Sequence, residues 1–181
     1  LEKALSNLGI TAERMGRYTD TMRDLGAIEE TEVHRGEVEL PDFLQHMADS
    51  LSILFQNTEV RFACDFHVPA GRAVLDGELL YRVLENLISN ALRFAEHQIE
   101  LAFYLEHGTL SATVTDDGPG FSEKLLQKKT ALFYSEDTSG KHLGLGLAVS
   151  RVLCQKHGGT IELSNRLPHG ACVKATITIK Q

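Results

Sequence analysis

The sequence predicts an α/β (α+β) two-layer sandwich, in which helices cover one face of a mixed sheet, preceded by a coiled-coil-like helix. Three observations carry this expectation: apolar strands that alternate with period two and join mostly as hairpins, amphipathic helices interleaved with them, and a heptad seam over residues 1–31. A chain of 181 residues, 43% hydrophobic and 24% charged, can build one well-buried domain plus an appendage.

In the first segment Leu1, Leu8, Met15 and Met22 recur every seventh residue, and Ala4, Thr11, Tyr18 and Leu25 follow each by three. That spacing is an a/d seam, although a helix packed on its own domain would also show it. Gly9, Gly16 and Gly26 each weaken such a helix by up to about 1 kcal/mol relative to alanine, so a partner has to hold it. Residues 32–40 read as a linker and first strand, and 41–181 as the globular domain.

Within that domain, Pro41-Asp42 opens a helix to about Phe55, with Phe43, Leu44, Met47, Leu51 and Leu54 on one side. Val60, Phe62, Cys64 and Phe66 alternate inward on a half-buried strand. The chain turns at Pro69-Ala-Gly71, and Ala73-Val-Leu75 makes a short strand. Asp76 suits the N-cap of a long helix running to about Ala95. Strands at 99–106 and 109–115 flank a His107-Gly108 turn. Residues 117–143 lack periodicity and read as a long loop with a helical turn, the kind of loop that usually has a function. A helix over 144–157 ends at Gly158-Gly159, and strands at 160–164 and 171–179 close a hairpin.

Eighteen basic against twenty-five acidic residues leave a net charge of −7, which argues against a nucleic-acid-binding face. No apolar run reaches the roughly 20 residues of a membrane span, and the first residues lack the basic start and apolar core of a signal peptide. Cys64, Cys154 and Cys172 form no Cys-x-x-Cys pair and read as small buried residues in a reducing compartment, with metal or disulfide use the alternative. The expected setting is therefore cytoplasmic.

Three short motifs carry chemistry. Asn86 and Asn90 stand one above the other on the long helix, and Arg93 and Phe94 extend that face by a turn. Two carboxamides can hold hydrated Mg²⁺ or phosphate oxygens without adding negative charge, and Arg93 can contact phosphate. A solvated polar stripe fits the same spacing. Second, Asp116-Asp-Gly118-Pro-Gly120 follows a strand, where a carboxylate can accept from an exocyclic amine and glycines admit a flat ring. A plain Asp-Gly turn is the alternative. Third, Gly144 and Gly146 open a helix in His142-Leu143-Gly144-Leu145-Gly146, presenting unpaired N–H groups and the positive end of the helix dipole. This motif has neither Rossmann nor P-loop spacing.

Taken together, the motifs resemble those of the GHKL ATPases and, among them, the sensor histidine kinases. Asn86-Leu-Ile-Ser-Asn90-Ala is similar to their asparagine box, Asp116-Asp-Gly118-Pro-Gly120-Phe to their first glycine box, and Gly144-Leu-Gly146-Leu to their second. The resemblance spans roughly residues 36–180. It implies a Bergerat-type sandwich that binds ATP, with Mg²⁺ held chiefly through Asn90 and the adenine amino group read by Asp116. Arg93 and Phe94 would line the nucleotide beside Asn86, Gly118 and Gly120. His142, Leu143, Gly144, Leu145 and Gly146 would lie at the phosphates. Residues 121–143 would form a lid, with Phe133-Tyr134 as its aromatic segment. His142 and Leu143 stand where relatives often carry Gly and then Thr or Ser.

ATPase branches of the family place a glutamate four residues before the metal-binding asparagine, where this chain has Asn86; Glu85 is about 100° around the helix. Without that base hydrolysis should be slow, which favours phosphate transfer. In the kinases the acceptor is an imidazole on the first helix of a dimerising hairpin, and residues 1–31 resemble the second helix. The resemblance therefore implies a homodimeric, membrane-anchored parent protein whose own dimerisation helix is a partner and whose phosphate passes to a response regulator. A non-catalytic platform of the same fold and an anti-sigma-factor serine kinase are the rival readings. None of the eight histidines has the acidic-then-proline context of an acceptor, and each reads as a surface or turn residue. The chain is accordingly expected to bind ATP·Mg²⁺ without phosphorylating itself; acid-labile, base-stable phosphate appearing on it alone would refute this.

Overall fold

A computed structural model describes residues 32–127 and 145–180. The heptad seam of 1–31, Phe133-Tyr134, and His142, Leu143 and Gly144 lie outside the described residues. In chain order the elements are β1 (Gly36–Glu39), α1 (Leu40–Ser52) with a 3₁₀ turn (Ile53–Phe55), β2 (Arg61–His67), β3 (Arg72–Leu75) and α2 (Gly77–Ala91). There follow β4 (Gln98–Glu106), β5 (Thr109–Asp116), the short α3 (Glu123–Gln127), α4 (Leu145–Lys156), β6 (Ile161–Asn165) and β7 (Ala171–Thr178).

Five strands form one sheet in the order β2-β4-β5-β7-β6. β2 runs parallel to β4, while β4–β5, β5–β7 and β6–β7 are antiparallel, so the sheet is mixed as the sequence predicts. The β4–β5 hairpin turns at His107 and Gly108, both at positive φ (50° and 74°), the backbone that a two-residue turn needs to match strand twist. β1 and β3 make a separate antiparallel pair, with Gly36 opposite Leu75.

Register gathers the apolar alternation onto one face. Leu101 lies opposite Val114, and Val114 opposite Val173; Phe103 lies opposite Ala112, and Ala112 opposite Ala175. All six are buried, and the helices pack on them through Leu80, Leu84, Leu87 and Ile88 of α2 and Leu153 and Cys154 of α4. α1 adds Leu44, Met47 and Leu51, and Phe55 stacks on Phe62 with ring centroids 4.6 Å apart. Burial of each such leucine contributes about 1.5–3 kcal/mol, so truncating one at the centre, such as Leu84, leaves a cavity costing about 2–5 kcal/mol. Among the described residues no helix is long and apolar enough to cross a membrane.

The long helix starts as expected and ends early. Asp76 caps it, its Oδ1 accepting from the Leu79 N–H at 3.0 Å. The helix stops at Ala91, four residues before the predicted end. Arg93 N–H then donates to Asn90 O (3.3 Å) and Phe94 N–H to Ala91 O (3.0 Å), three-residue bonds that tighten the chain into a turn. Arg93 and Phe94 thus lie in a turn beyond the last residue of the helix.

His157 lies in the turn after α4, as expected, but not at the surface. It is buried, 1% exposed, and its Nε2 accepts the Asp76 N–H at 3.0 Å. Asp76 Oδ2 accepts the His34 N–H at 2.7 Å. One tie thus joins the segment before β1, the start of α2 and the end of α4. Burial pushes the imidazole below its ordinary range against the attraction of Asp76, and its hydrogen bond as acceptor requires the neutral ring. The cysteines differ in part as well: Cys154 is buried, but Cys64 and Cys172 are half-buried. Burial pushes the Cys64 and Cys154 thiols up to about 12, so neither is a thiolate near neutral pH.

Because His157 has a lower pKa folded than unfolded, the unfolded chain takes up more protons as pH falls through the ordinary value of 6.5. Urea unfolding should accordingly show stability falling between about pH 7 and pH 5. His157→Gln should be less stable by about 1–3 kcal/mol at neutral pH and lack that part of the slope; an undiminished slope would reject the assignment.

Candidate functional site

The second half of α2, the end of β5, the first turn of α4 and the start of β7 converge on a cleft of about 150 Å³. Its floor is apolar, made by Leu87 and Ala91 of α2, Val114 of β5, Leu147 of α4, and Ala171 and Val173 of β7. Asn90, Arg93, Phe94, Asp116, Pro119, Gly120, Phe121 and Leu125 complete the lining.

Asp116 is the buried acid of the cleft, 5% exposed. Its Oδ1 accepts from the Gly118 N–H at 2.9 Å and from the Ala171 N–H at 3.2 Å. Burial raises the carboxyl above its usual range; the two N–H donors oppose that and the charge of Asp117 adds to it. The result is an oriented acceptor at the edge of an apolar cavity, a place for a donor on a flat, mostly apolar ligand.

Glycine is required beside it for steric reasons. A Cβ on Gly118 would lie 2.3 Å from the Phe94 carbonyl oxygen, so this residue lets the end of β5 close onto the turn that leaves α2. Gly120 sits at φ 79°, in the left-handed region. Asp117, which the motif reading left without a role, turns away from the cleft and receives the backbone N–H groups of Glu96 (2.9 Å), His97 (3.0 Å) and Gln98 (3.2 Å) on Oδ1. Desolvation raises this carboxyl, but the three amides and the His97 ring outweigh it and hold it below the ordinary range. The first glycine loop and the turn carrying Arg93 and Phe94 are therefore fastened together. The Arg93 guanidinium lies over the Phe94 ring, 5.1 Å from its centroid.

Of the sequence-predicted site residues, Asn90, Arg93, Phe94, Asp116 and Gly120 meet at the cleft. Asn86, half-buried one turn before Asn90, is outside its lining, as are Gly118, whose part is steric, and the exposed Gly146. Leu145 opens α4. The apolar floor went unassigned in the motif reading. Its residues follow the same periodicities as the core, and only Leu87 and Ala91, inside the asparagine motif, carried any positional hint. Among the described residues no cluster of three or more His, Cys, Asp or Glu side chains could hold a metal. A cation here would depend on the Asn90 carboxamide and on oxygens of the ligand itself, a donor set that suits Mg²⁺ beside a polyphosphate.

Residues 75–181 match the family of histidine kinase-, DNA gyrase B- and HSP90-like ATPases. The chain belongs to this family. Its similarity to RstB, a sensor protein of Escherichia coli (strain K12), is 33% identity over 167 residues, covering 89% of the chain and 36% of RstB. The fold is similar to that of the nucleotide-free catalytic domain of the histidine kinase ThkA (TM-score 0.67, 23% identity, 80% of the chain and 97% of ThkA). It is also similar to that of ShkA in complex with AMPPNP (TM-score 0.70, 22% identity, 83% of the chain and 32% of ShkA). Within its family the chain's sequence similarity runs to sensor proteins such as RstB. The chain spans about a third of the length of RstB.

Gly118→Ala should lower stability by about 1–3 kcal/mol in urea titration, because the Phe94 carbonyl belongs to the α2 exit turn and cannot retreat freely. A variant as stable as the unsubstituted chain would show that this turn yields without cost.

Proposed function

We propose that the cleft binds ATP with Mg²⁺, and that in a longer sensor protein this domain delivers the γ-phosphate to a histidine, from which it passes to an aspartate of a response regulator. The observation that carries this reading is Asp116: a buried carboxylate, oriented by two backbone N–H groups, on an apolar cleft that also takes in Asn90. ATP has the complementary parts, a flat ring with an exocyclic amine and a polyphosphate that needs a cation.

In this reading Asp116 accepts the adenine amine, and the faces of the ring lie against the apolar floor. Asn90 holds the Mg²⁺, whose charge offsets that of the phosphates, and Asn86 supports it from the preceding turn. Arg93 adds a charge-assisted contact and Phe94 a rim. His142, Leu143, Gly144, Leu145 and Gly146 take the phosphate end, where the start of α4 contributes free N–H groups and the positive end of its dipole. With Asn86 in the place of a water-activating glutamate, these residues bind and orient ATP and leave the transfer to the partner imidazole. Residues 1–31 serve as the second helix of a dimerisation hairpin shared with a second protomer, 32–40 as linker and first strand, 41–181 as the catalytic domain and 121–143 as an ATP lid. The domain works on the cytoplasmic side of a membrane-anchored parent.

Calorimetric titration with ATP and GTP tests the adenine contact. Asp116→Asn should weaken ATP by roughly tenfold or more and GTP much less, since a charge-assisted bond is lost and the amide presents a donor to a donor; equal losses would remove Asp116 from base recognition. Asn90→Asp should change the Mg²⁺ dependence of ATP binding, and an unaltered dependence would remove Asn90 from the metal.

A further inference from the structure

Asn165 lies at the end of β6, over forty residues beyond the first glycine motif, and has no part in the lining of the cleft. Its carboxamide nevertheless grips the residue that follows Gly120. Phe121 N–H donates to Asn165 Oδ1 at 2.7 Å, and Asn165 Nδ2 donates to Phe121 O at 2.8 Å. A carboxamide presents a donor and an acceptor side by side, as a peptide group does, and can satisfy both backbone groups of one residue at once. Aspartate keeps the acceptor alone, and alanine has neither. The same hairpin seats Gly120: a Cβ there would stand 2.9 Å from Asn165 Oδ1 and 3.1 Å from Gly170 O.

The near end of the loop is held by backbone from the same hairpin. Ala171 N–H donates to Asp116 Oδ1 at 3.2 Å. Gly170, at φ 119°, comes so close to Asp116 that a Cβ would lie 2.1 Å from its carbonyl oxygen. The β6–β7 hairpin therefore spans the glycine loop, with its backbone at Asp116 and the Asn165 side chain at Phe121. Between those anchors stand Pro119 and Gly120, which line the cleft with Phe121.

The structure assigns Asn165 as a positioning residue for nucleotide binding: it holds Gly120 and Phe121 as the cleft wall, at a set distance from Asp116, without touching the ligand. This rests on the reading of the cleft as an ATP site. Because Asn165 is exposed and outside the core, its bonds should matter more to the shape of the wall than to global stability.

The test uses the whole chain and its Asn165→Ala, Asn165→Asp and Arg166→Ala variants. Arg166 sits on the same hairpin but pairs with Glu100 on the sheet, at 2.7 Å, and serves as control. Each is titrated calorimetrically with ATP and ADP in the presence of Mg²⁺, at a temperature where its melting curve shows it folded. Amide hydrogen exchange at Phe121 and Gly118 is measured without nucleotide. The assignment expects Asn165→Ala and Asn165→Asp to weaken ATP and ADP alike, by roughly fivefold or more, and Arg166→Ala to stay within about twofold. It also expects Phe121 exchange to quicken at least about tenfold in Asn165→Ala while Gly118 exchange is unchanged. Binding by both Asn165 variants within about twofold of the unsubstituted chain overturns it, as does a lowered melting temperature with unchanged affinity of the folded protein. Should the unsubstituted chain bind no adenine nucleotide, the ATP reading fails instead, and Phe121 exchange alone decides whether Asn165 holds the wall.

Discussion

A carboxylate can be buried in an apolar cleft only if other groups supply the hydrogen bonds it loses to water, and the local architecture around Asp116 answers that requirement. One N–H comes from Gly118, two residues on, and one from Ala171, at the head of a strand that the chain reaches fifty-five residues later. Both donors come close because the neighbouring residues lack side chains: Gly118 passes the Phe94 carbonyl and Gly170 passes the Asp116 carbonyl at distances that exclude a Cβ. These glycines therefore serve to admit backbone to backbone.

Support for the two helices that border the site is also polar and remote. Asp76 caps α2 through its side chain and joins the buried ring of His157 through its own N–H, so the start of one helix is tied to the end of the other. The apolar contacts between α2, α4 and the sheet provide most of the burial energy but do little to choose one register from its neighbours; a directed hydrogen bond between buried groups does choose. His34 brings the segment before β1 into the same junction. A displacement of that segment would therefore act on Asp76 and, through it, on both helix ends.

Much was legible before any coordinates. Alternation locates the strands, the Asp76 cap locates the long helix, and the first two of three weak motifs contribute Asn90, Arg93, Phe94, Asp116 and Gly120 to one cleft. The departures from the sequence pattern share a cause. Leu92 to Ala95 carries no glycine or proline to mark the end of α2, yet the chain leaves the helix there and sets the Phe94 carbonyl against Gly118. His157 stands in a turn before two glycines, as its neighbours in the sequence predict, but its burial follows from a partner eighty-one residues away. Asp117 reads as an ordinary turn residue in the sequence, since its three N–H partners come from the other side of the β4–β5 hairpin.

What the sequence alone determined is the chemistry carried by periodicity and by neighbours within a turn: a layered sandwich, its caps, and the kinds of side chain that can meet a nucleotide. These follow from local backbone geometry and the segregation of apolar groups, which act over a few residues. Tertiary structure decided which of those side chains share a cavity, which acid faces it and which faces away, and which distant residues hold the loop between them. Such choices depend on hydrogen bonds and close approaches between segments far apart in the chain, which a linear pattern does not encode.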